Sequence, residues 1–344
     1  METILGIDLA TWWFLVVGGV FSGYAILDGF DLGAGALHLF FNKETSRRLA
    51  LNAIGPVWDG NEVWLVIGGG ALFAGFPVVY ATVFSAFYEP FMIFLVMLIF
   101  RAISIEFRSK EEMDWWRKLW DICYSISSIV VTLSLGLILG NVIQGLAIDQ
   151  NYIYKGSLGD FFNPYAIMIA VTTLSLFMMH GAIYLVMKTE NRLYAKLTIL
   201  VKNTTIFFVM MFALTSVVTL LYLPHMVARY KEVPYMFAFP VFAILAVANI
   251  TRQISKRKYR YAFVSSAFVT AMLMALVAVG LFPNIILSSI DPAYNITVYN
   301  GASTDKSLKI ILTFAAIGVP LVATYTTFVF WTFRGKVKLD DTSY

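Results

Sequence analysis

The sequence contains few charged residues and only one cysteine. Charged side chains make up 13% of the 344 residues and hydrophobic ones 59%, whereas a soluble globular domain carries about 25% charged residues. This deficit predicts an integral membrane protein. The single Cys123 excludes disulfides within the chain and any metal site built on several cysteines. The net charge of +4, with Lys and Arg confined to short loops, gives no sign of nucleic-acid binding.

Several functional motifs are also missing. The sequence contains no G-x-x-x-x-G-K-[ST], no H-E-x-x-H and no G-x-G-x-x-G followed by an acid at the right distance. Nucleotide-driven transport and metalloprotease chemistry are therefore not indicated. The first ten residues, METILGIDLA, carry no basic segment before the first apolar run. We therefore expect that run to remain as a helix rather than to be cleaved as a signal peptide.

Histidine is scarce, with three in the chain. A helix bundle that binds haem needs axial ligands on facing helices. His38 lies near one end of its apolar segment, His180 in the middle of another and His225 at a segment end, so no two are expected at the same depth. Methionine is abundant but more often fills cores. We expect no haem ligated wholly by this chain, and interpret His180 as a hydrogen-bonded core residue or one that faces a partner.

Long apolar runs dominate what is present. About 20 mainly apolar residues span a bilayer, and nine segments are close to this length. Their approximate ranges are 10–40, 60–81, 84–105, 119–146, 163–187, 204–224, 235–251, 260–282 and 309–333. The break between the second and third segments is the least distinct and depends on Gly75 and Pro77. We predict an all-α polytopic membrane protein of about nine transmembrane helices, with residues 1–344 forming one integral-membrane domain.

The distribution of loop charge predicts the orientation. Only five of the 25 Lys and Arg residues fall on one side, and the others fall in the alternate loops and the C-terminal tail. The five are Lys155, Arg229, Lys231, Lys306 and Lys309. Because the basic side of a membrane protein is normally cytoplasmic, we predict that the N-terminus lies outside and the C-terminus in the cytoplasm. Removing one span early in the chain would scramble this asymmetry, which supports nine.

Four acidic residues lie in or beside the first two segments: Asp28, Asp31, Asp59 and Glu62. Carboxylates at membrane depth cost ~2.5–3.5 kcal/mol or more and usually face a protein interior or a water path. Asp28 and Asp31 share one helix face in the inner half of the first segment, and Asp59 lies where the second enters from the cytoplasm. We therefore predict a proton path through these acids. The alternatives are capping by Asp59 and hydrogen bonding of Asp28 or Asp31 to a neighbouring helix.

Other charged residues of the segments have simpler interpretations. Glu89 is either a second buried carboxylate or a residue at the outer interface. Arg101 and Glu106 are interpreted as an interfacial pair with snorkelling stems. Asp121, at the cytoplasmic start of the fourth segment, is interpreted as a helix cap.

Five stretches of the chain carry a resemblance to a known family. They are DGFDLGAG (28–35), GPVWDGNEVWL (55–65), GGGALFAGFPVVYA (68–81), FRAISIEFRSK (100–110) and RKLWD (117–121). The chain resembles subunit II of the cytochrome bd-type quinol oxidases, densely over about the first 145 residues and diffusely beyond. Trp58, Asn61 and Trp64 belong to the W-D-G-N-x-V-W core and are expected to support the acids. Val57 stands where some relatives have histidine, so proton transfer should not depend on a titratable group there.

The resemblance implies partners and cofactors. Such a subunit pairs with a similarly folded subunit I in a bacterial cell membrane, each built of helix bundles plus a peripheral helix. A small accessory subunit, quinol and lipids are further candidate partners. Subunit I carries the haem b and haem d-type groups and oxidises quinol on its outer side, and the complex reduces dioxygen to water.

Acids matching Asp28, Asp31 and Asp59 are implicated in the family's proton path to the haem region. The resemblance therefore assigns scaffold and proton delivery to this chain. Catalysis belongs to the complex, and no catalytic residue or metal ligand is assigned here.

Two other functions remain open from the residues alone. A secondary transporter or ion channel would use the same acids for coupling, although such proteins often contain inverted repeats and no repeat is evident in this sequence. A non-catalytic assembly protein would tolerate changes to the acids. Haem bands in the visible spectrum of a purified complex, together with a co-purifying membrane partner, would favour the oxidase.

Overall fold

A computed structural model describes residues 3–339, which fold into twelve α-helices and two short antiparallel β-hairpins. The first six helices are Leu9–Leu37 (α1), Glu44–Ile54 (α2), Trp58–Gly75 (α3), Pro77–Ala86 (α4), Tyr88–Phe107 (α5) and Asp114–Gln144 (α6). The other six are Pro164–Lys188 (α7), Asn191–Tyr222 (α8), His225–Glu232 (α9), Ala238–Ser255 (α10), Tyr259–Leu281 (α11) and Asp305–Thr332 (α12). The hairpins pair Thr3–Ile4 (β1) with Ile7–Asp8 (β2), and Asn284–Ile286 (β3) with Ile296–Thr297 (β4).

Eight helices in the described part of the chain are long and apolar enough to cross a bilayer: α1, α5, α6, α7, α8, α10, α11 and α12. Helix α3 forms most of the second predicted segment and is not among these eight. Its 18 residues span roughly 27 Å at 1.5 Å per residue, close to the thickness of a bilayer core. Asp59, Asn61 and Glu62 make its first turns polar and lower its hydropathy. The prediction of an all-α polytopic membrane protein is confirmed.

The boundary between the second and third segments differs from the prediction of spans over 60–81 and 84–105. Helix α3 ends at Gly75, α4 is a separate ten-residue helix, and α5 begins at Tyr88. Pro77 is the first residue of α4. Because proline lacks the N–H that a continuing helix requires but fits a first turn, it separates the two helices.

The helical segments also extend into polar sequence that hydropathy does not detect. Helix α8 begins at Asn191, well before the predicted start at residue 204, so its first turns carry Arg192 and Lys196. The short helix α9, with Arg229 and Lys231 in its last turn, was not predicted either. The first turns of α8 and the whole of α9 are therefore helical although their sequence is polar.

The loops and short helices that connect the long helices lie at the two ends of the bundle, where hydrogen bonds join them to one another. The basic end comprises residues 38–57, 108–113, 189–190, 256–258 and 333–339. There the Val337 N–H donates to the Lys188 carbonyl over 2.9 Å, and the Lys196 ammonium donates to the Phe40 carbonyl. The opposite end comprises residues 3–8, 76–87, 145–163, 223–237 and 282–304. There the Ser303 N–H donates to the Gly75 carbonyl over 2.8 Å. The loops rich in Lys and Arg therefore share one end.

Helix α1 lies at the centre of the bundle, where it packs against α3, α6 and α7. Asp8 immediately precedes α1, and its carboxylate accepts from the Thr11 N–H over 2.8 Å and so caps the first turn. Helices α1 and α7 cross most closely at Gly33 and Gly181. A Cβ built on Gly33 would lie 1.8 Å from the Phe177 carbonyl oxygen, so only glycine allows this approach.

Helix α12 lies at the periphery. Of its described residues only Leu308 is buried, and its neighbours are α1 and α3. This arrangement agrees with the single peripheral helix that the resemblance implied.

We expect Gly33→Ala to destabilise the bundle, because the added methyl group overlaps the backbone of α7 and forces the two helices apart. Gly19→Ala is the matched control, since it lies in the same helix and its Cβ would meet nothing within 4 Å. The measurement is the thermal unfolding temperature of the purified protein. Equal unfolding temperatures for the two variants would contradict the close crossing.

The predicted orientation is tested with single cysteines placed at exposed positions of the two ends, Ala293→Cys and Lys256→Cys, in a Cys123→Ser background. A membrane-impermeant maleimide should label Ala293→Cys in intact cells and Lys256→Cys only after permeabilisation, because the basic end is expected in the cytoplasm. The reverse pattern would overturn the orientation.

Candidate functional site

Asp28 and Arg101 form a buried ion pair in the middle of the bundle. Both side chains have 0% exposure. The Asp28 carboxylate accepts two hydrogen bonds from the guanidinium: Nη2 to Oδ1 over 2.6 Å and Nη1 to Oδ2 over 3.2 Å. The bidentate geometry offsets part of the desolvation cost of two buried charges. Asp28 lies nine residues before the end of α1, roughly 13 Å along the helix axis.

Glu62 is the second carboxylate on the same guanidinium. Its Oε2 accepts from Arg101 Nη1 over 3.0 Å, and its side chain is 21% exposed. Arg101 therefore joins helices α1, α3 and α5 through one cation. The interpretation of Arg101 as an interfacial residue paired with Glu106 is wrong, because Arg101 points into the bundle, where two carboxylates meet its charge. Sequence reasoning found the two acids and missed the cation between them.

Asp31 lies on the same face of α1, one turn beyond Asp28, and is fully buried. Its Oδ2 accepts from the Asn61 amide over 2.7 Å. Asn61 also donates to the Leu27 carbonyl over 3.3 Å, so this predicted supporting residue fixes α3 against α1. Within residues 3–339, Asp31 Oδ1 has no hydrogen-bond partner. One oxygen of a buried carboxylate is thus left for water or for a mobile proton.

Asp59 stands apart from the buried acids. It lies at the second position of α3 with an exposed side chain, where a negative charge also favours the helix dipole. It precedes Glu62 by three residues, so the two share a helix face. Trp58 is buried and Trp64 partly buried. The Trp64 ring lies against Gly23 of α1, where a Cβ would come within 2.6 Å of it.

A second ionic cluster, around Asp121, lies at the basic end. The Asp121 carboxylate, 1% exposed, accepts from Arg108 Nε over 2.6 Å and from Arg47 Nη1 over 2.8 Å, and its Oδ1 lies 2.5 Å from His38 Nε2. Arg108 also donates to Glu44 over 2.8 Å. The interpretation of Asp121 as a cap is wrong, because α6 begins two turns earlier, at Asp114. Glu89 is exposed in the first turn of α5, which favours the interface interpretation.

The three histidines, all within residues 3–339, are not arranged as a pair of axial haem ligands. Both ring nitrogens of His180 are engaged, Nδ1 with Ser266 Oγ at 2.6 Å and Nε2 with the Ile26 carbonyl at 3.1 Å. His38 and His225 lie at opposite ends of the bundle, so the structure offers no pair of axial histidines across one plane. Across residues 3–339, no group of three or more His, Cys, Asp and Glu is placed to hold a metal ion. His180 is a hydrogen-bonded core residue.

Fold and site together define a polytopic helical membrane subunit with ionised groups clustered inside its bundle. Residues 9–333 match the family model described as cytochrome bd terminal oxidase subunit II. The chain is 32% identical over 331 residues to cytochrome bd ubiquinol oxidase subunit 2 of Bacillus subtilis (strain 168), covering 95% of this chain and 96% of that protein. It is 29% identical over 360 residues to cytochrome bd-I ubiquinol oxidase subunit 2 of Escherichia coli (strain K12), covering 96% and 95%.

The fold agrees with a solved structure as well. A chain in the structure of bd oxidase from Geobacillus thermodenitrificans superposes with a TM-score of 0.79 at 18% identity, covering 94% of this chain and 98% of that one. The chain belongs to the cytochrome bd terminal oxidase subunit II family. It is a multi-pass protein of the bacterial inner membrane and part of a respiratory oxidoreductase complex with a partner subunit I. The family implies haem and quinol in that complex, which favours the oxidase over a transporter or channel.

We expect Arg101→Gln to destabilise the protein by about 3–5 kcal/mol, because it leaves the buried Asp28 carboxylate without a counter-charge. The double variant Arg101→Gln/Asp28→Asn should recover part of this loss, since it removes both charges. Thermal unfolding of the purified complex measures the effect. Arg229→Gln, which breaks a partly exposed pair with Glu232, is the control and should change little. Equal effects of Arg101→Gln and Arg229→Gln would contradict the buried pair.

Proposed function

We propose that this chain is the scaffold and proton-delivering subunit of a quinol:oxygen oxidoreductase. The single observation that carries the proposal is the buried Arg101 with Asp28 and Glu62, a set of ionisable groups that begins at the basic end and reaches deep into the bundle. Ionisable residues inside a membrane protein usually mark an ion or proton route. We place the haems in subunit I, which is supported by the lack of a facing histidine pair among residues 3–339.

The acids lie at successive depths from the basic end of the bundle inward. Asp59 is exposed at the basic end, Glu62 lies one turn deeper and partly exposed, and Asp28 lies fully buried beyond it. Asp59 collects protons from water. Glu62 passes them inward, the Arg101 cation stabilises the carboxylates on either side of it, and Asp28 and Asp31 take up protons at depth. Asn61 and Trp64 keep α3 in register with α1, and Trp58 anchors the start of α3.

The driving force is electrostatic. When the complex reduces dioxygen, electrons enter a low-dielectric interior, where each added negative charge is costly unless a proton compensates it. A route that opens only at the basic end takes those protons from the cytoplasm. Quinol oxidised at the other side releases its protons outside, so charge separation follows without a pump.

The outlet toward the partner lies on the α3 and α5 face. Glu62 reaches the surface there, among exposed apolar side chains such as Val66, Val96 and Ile99. We place subunit I on this face, so that protons leaving Glu62 or Asp28 enter the haem region directly. A small accessory subunit, together with lipids, fits against the remaining apolar surface of the bundle.

Asp28→Asn is expected to lower quinol-driven oxygen uptake by the purified complex at least about tenfold, because it removes the titratable carboxylate that shares the Arg101 guanidinium with Glu62. Asp59→Asn should cause a smaller loss, since water reaches the same position. Haem content is measured on the same samples. Asp114→Asn is the control, because it also changes an exposed acid in the first turn of a helix at the basic end. Full turnover of Asp28→Asn with full haem content would reject the proposal.

A further inference from the structure

A second line of polar residues follows the contact between α1 and α6. Asp31 and His38 are seven residues apart and lie on one face of the first span. On α6, Asp121, Tyr124 and Ser128 have the spacing i, i+3 and i+7, which also defines one face. All five side chains are buried. The two faces meet, and the line runs from the basic end to the buried carboxylates.

Tyr124 occupies the middle of this line. A Cβ built on Gly35 would lie 3.1 Å from Tyr124 Cζ, the ring carbon that carries the hydroxyl. Gly35 lies between Asp31 and His38 on α1, so the hydroxyl lies between them as well. The Tyr124 and His38 rings pack edge to face with centroids 5.1 Å apart.

Three polar atoms on this line have no hydrogen-bond partner among residues 3–339: Asp31 Oδ1, the Tyr124 hydroxyl and His38 Nδ1. Buried polar groups are nearly always hydrogen-bonded, and those that the protein leaves unpaired usually bind ordered water. Three such atoms in sequence along one helix contact indicate bridging waters between them.

The hydrogen-bond network determines which nitrogen of the neutral His38 ring carries the hydrogen. Arg47 and Arg108 keep Asp121 as an acceptor, so the short contact to His38 requires the hydrogen on Nε2. In the neutral ring, Nδ1 is therefore the acceptor, and it is the nitrogen left unpaired. The network reaches water through Arg47, whose side chain is 22% exposed.

We propose that His38, Tyr124 and Asp31 form a second proton path from the basic end, parallel to the Asp59–Glu62 path and joining it at the buried carboxylates. Hydronium entering from the basic end gives its proton to His38 Nδ1, which makes the ring an imidazolium held by Asp121. The imidazolium then returns the Nδ1 proton to the water that bridges to Tyr124, and the ring is neutral again. The Tyr124 oxygen accepts a proton from that water as its own hydroxyl proton moves on toward Asp31, so the hydroxyl is unchanged after the transfer. The proton ends on Asp31 Oδ1. This inference rests on the proposed function and adds a second entrance to it.

The test combines Tyr124→Phe with Asp59→Asn. Tyr124→Phe removes only the hydroxyl and keeps the ring packing. Tyr165→Phe is the matched control, because it removes a hydroxyl that contacts Thr219 elsewhere in the bundle. Quinol-driven oxygen uptake and haem content are measured for each variant alone and in the Asp59→Asn background. His38→Gln is the second variant, because it keeps a donor toward Asp121 but removes the ring acceptor.

Parallel paths predict that the double variant loses more turnover than the product of the two single losses, because each path compensates for the other. We expect Tyr124→Phe alone to lose little, and Tyr124→Phe/Asp59→Asn to fall about tenfold or more below Asp59→Asn. His38→Gln should behave like Tyr124→Phe. A double variant no worse than Asp59→Asn, or a Tyr124→Phe variant that matches Tyr165→Phe in both backgrounds, overturns the second path.

A spectroscopic readout separates proton coupling from packing. The infrared carboxyl bands of the resting complex are assigned to Asp31 by their loss in Asp31→Asn. Tyr124→Phe should shift the Asp31 band and Tyr165→Phe should not; an unshifted band overturns the proposal. Different results reject the two hypotheses. An active Asp28→Asn variant rejects proton delivery by this chain. An inactive Asp28→Asn variant, together with a Tyr124→Phe variant that leaves oxygen uptake and the Asp31 band unchanged, rejects the second path alone.

Discussion

A cation buried in the bundle requires counter-charges from the surrounding helices. The Arg101 guanidinium has 0% exposure, and an isolated charge in that environment is very costly. Asp28 from α1 and Glu62 from α3 supply the counter-charges, so the pairing fixes how three helices are turned toward one another. The Asp121 cluster repeats the principle with the signs reversed, one buried carboxylate among Arg47, Arg108 and His38.

The sequence predicts the features that depend on hydropathy and on the rarity of carboxylates in membrane spans. The apolar runs gave the spans, and the scarcity of membrane carboxylates singled out Asp28 and Asp31. Hydropathy gives depth but not the direction in which a side chain points. It therefore predicts an interfacial Arg101 and does not predict the pairing with Asp28, 73 residues earlier in the chain. The polar residues Asp121, Tyr124 and Ser128 have helical spacing, so their common face was predictable from the sequence. The extension of α8 was not predictable from hydropathy, because its first turns are polar.

Family membership identifies the complex to which this chain belongs. The placement of the charges inside the bundle is the basis of the task that we propose for the chain within it. Ionised side chains in the membrane interior are stable only where a partner or water meets them. The same constraint that forces Arg101, Asp28 and Glu62 together therefore places a connected set of ionisable groups inside the bundle.

The long sequence separation within the central ion pair has a consequence for biosynthesis. Helix α1 leaves the ribosome first, and Arg101 follows Asp28 by 73 residues, roughly 4–15 s of synthesis at bacterial rates of about 5–20 residues per second. During that interval α1 must remain in the bilayer with two acids that have no cation beside them. Its long apolar stretch from Leu9 to Leu27 offsets that cost, so the length of the first helix serves insertion as well as packing.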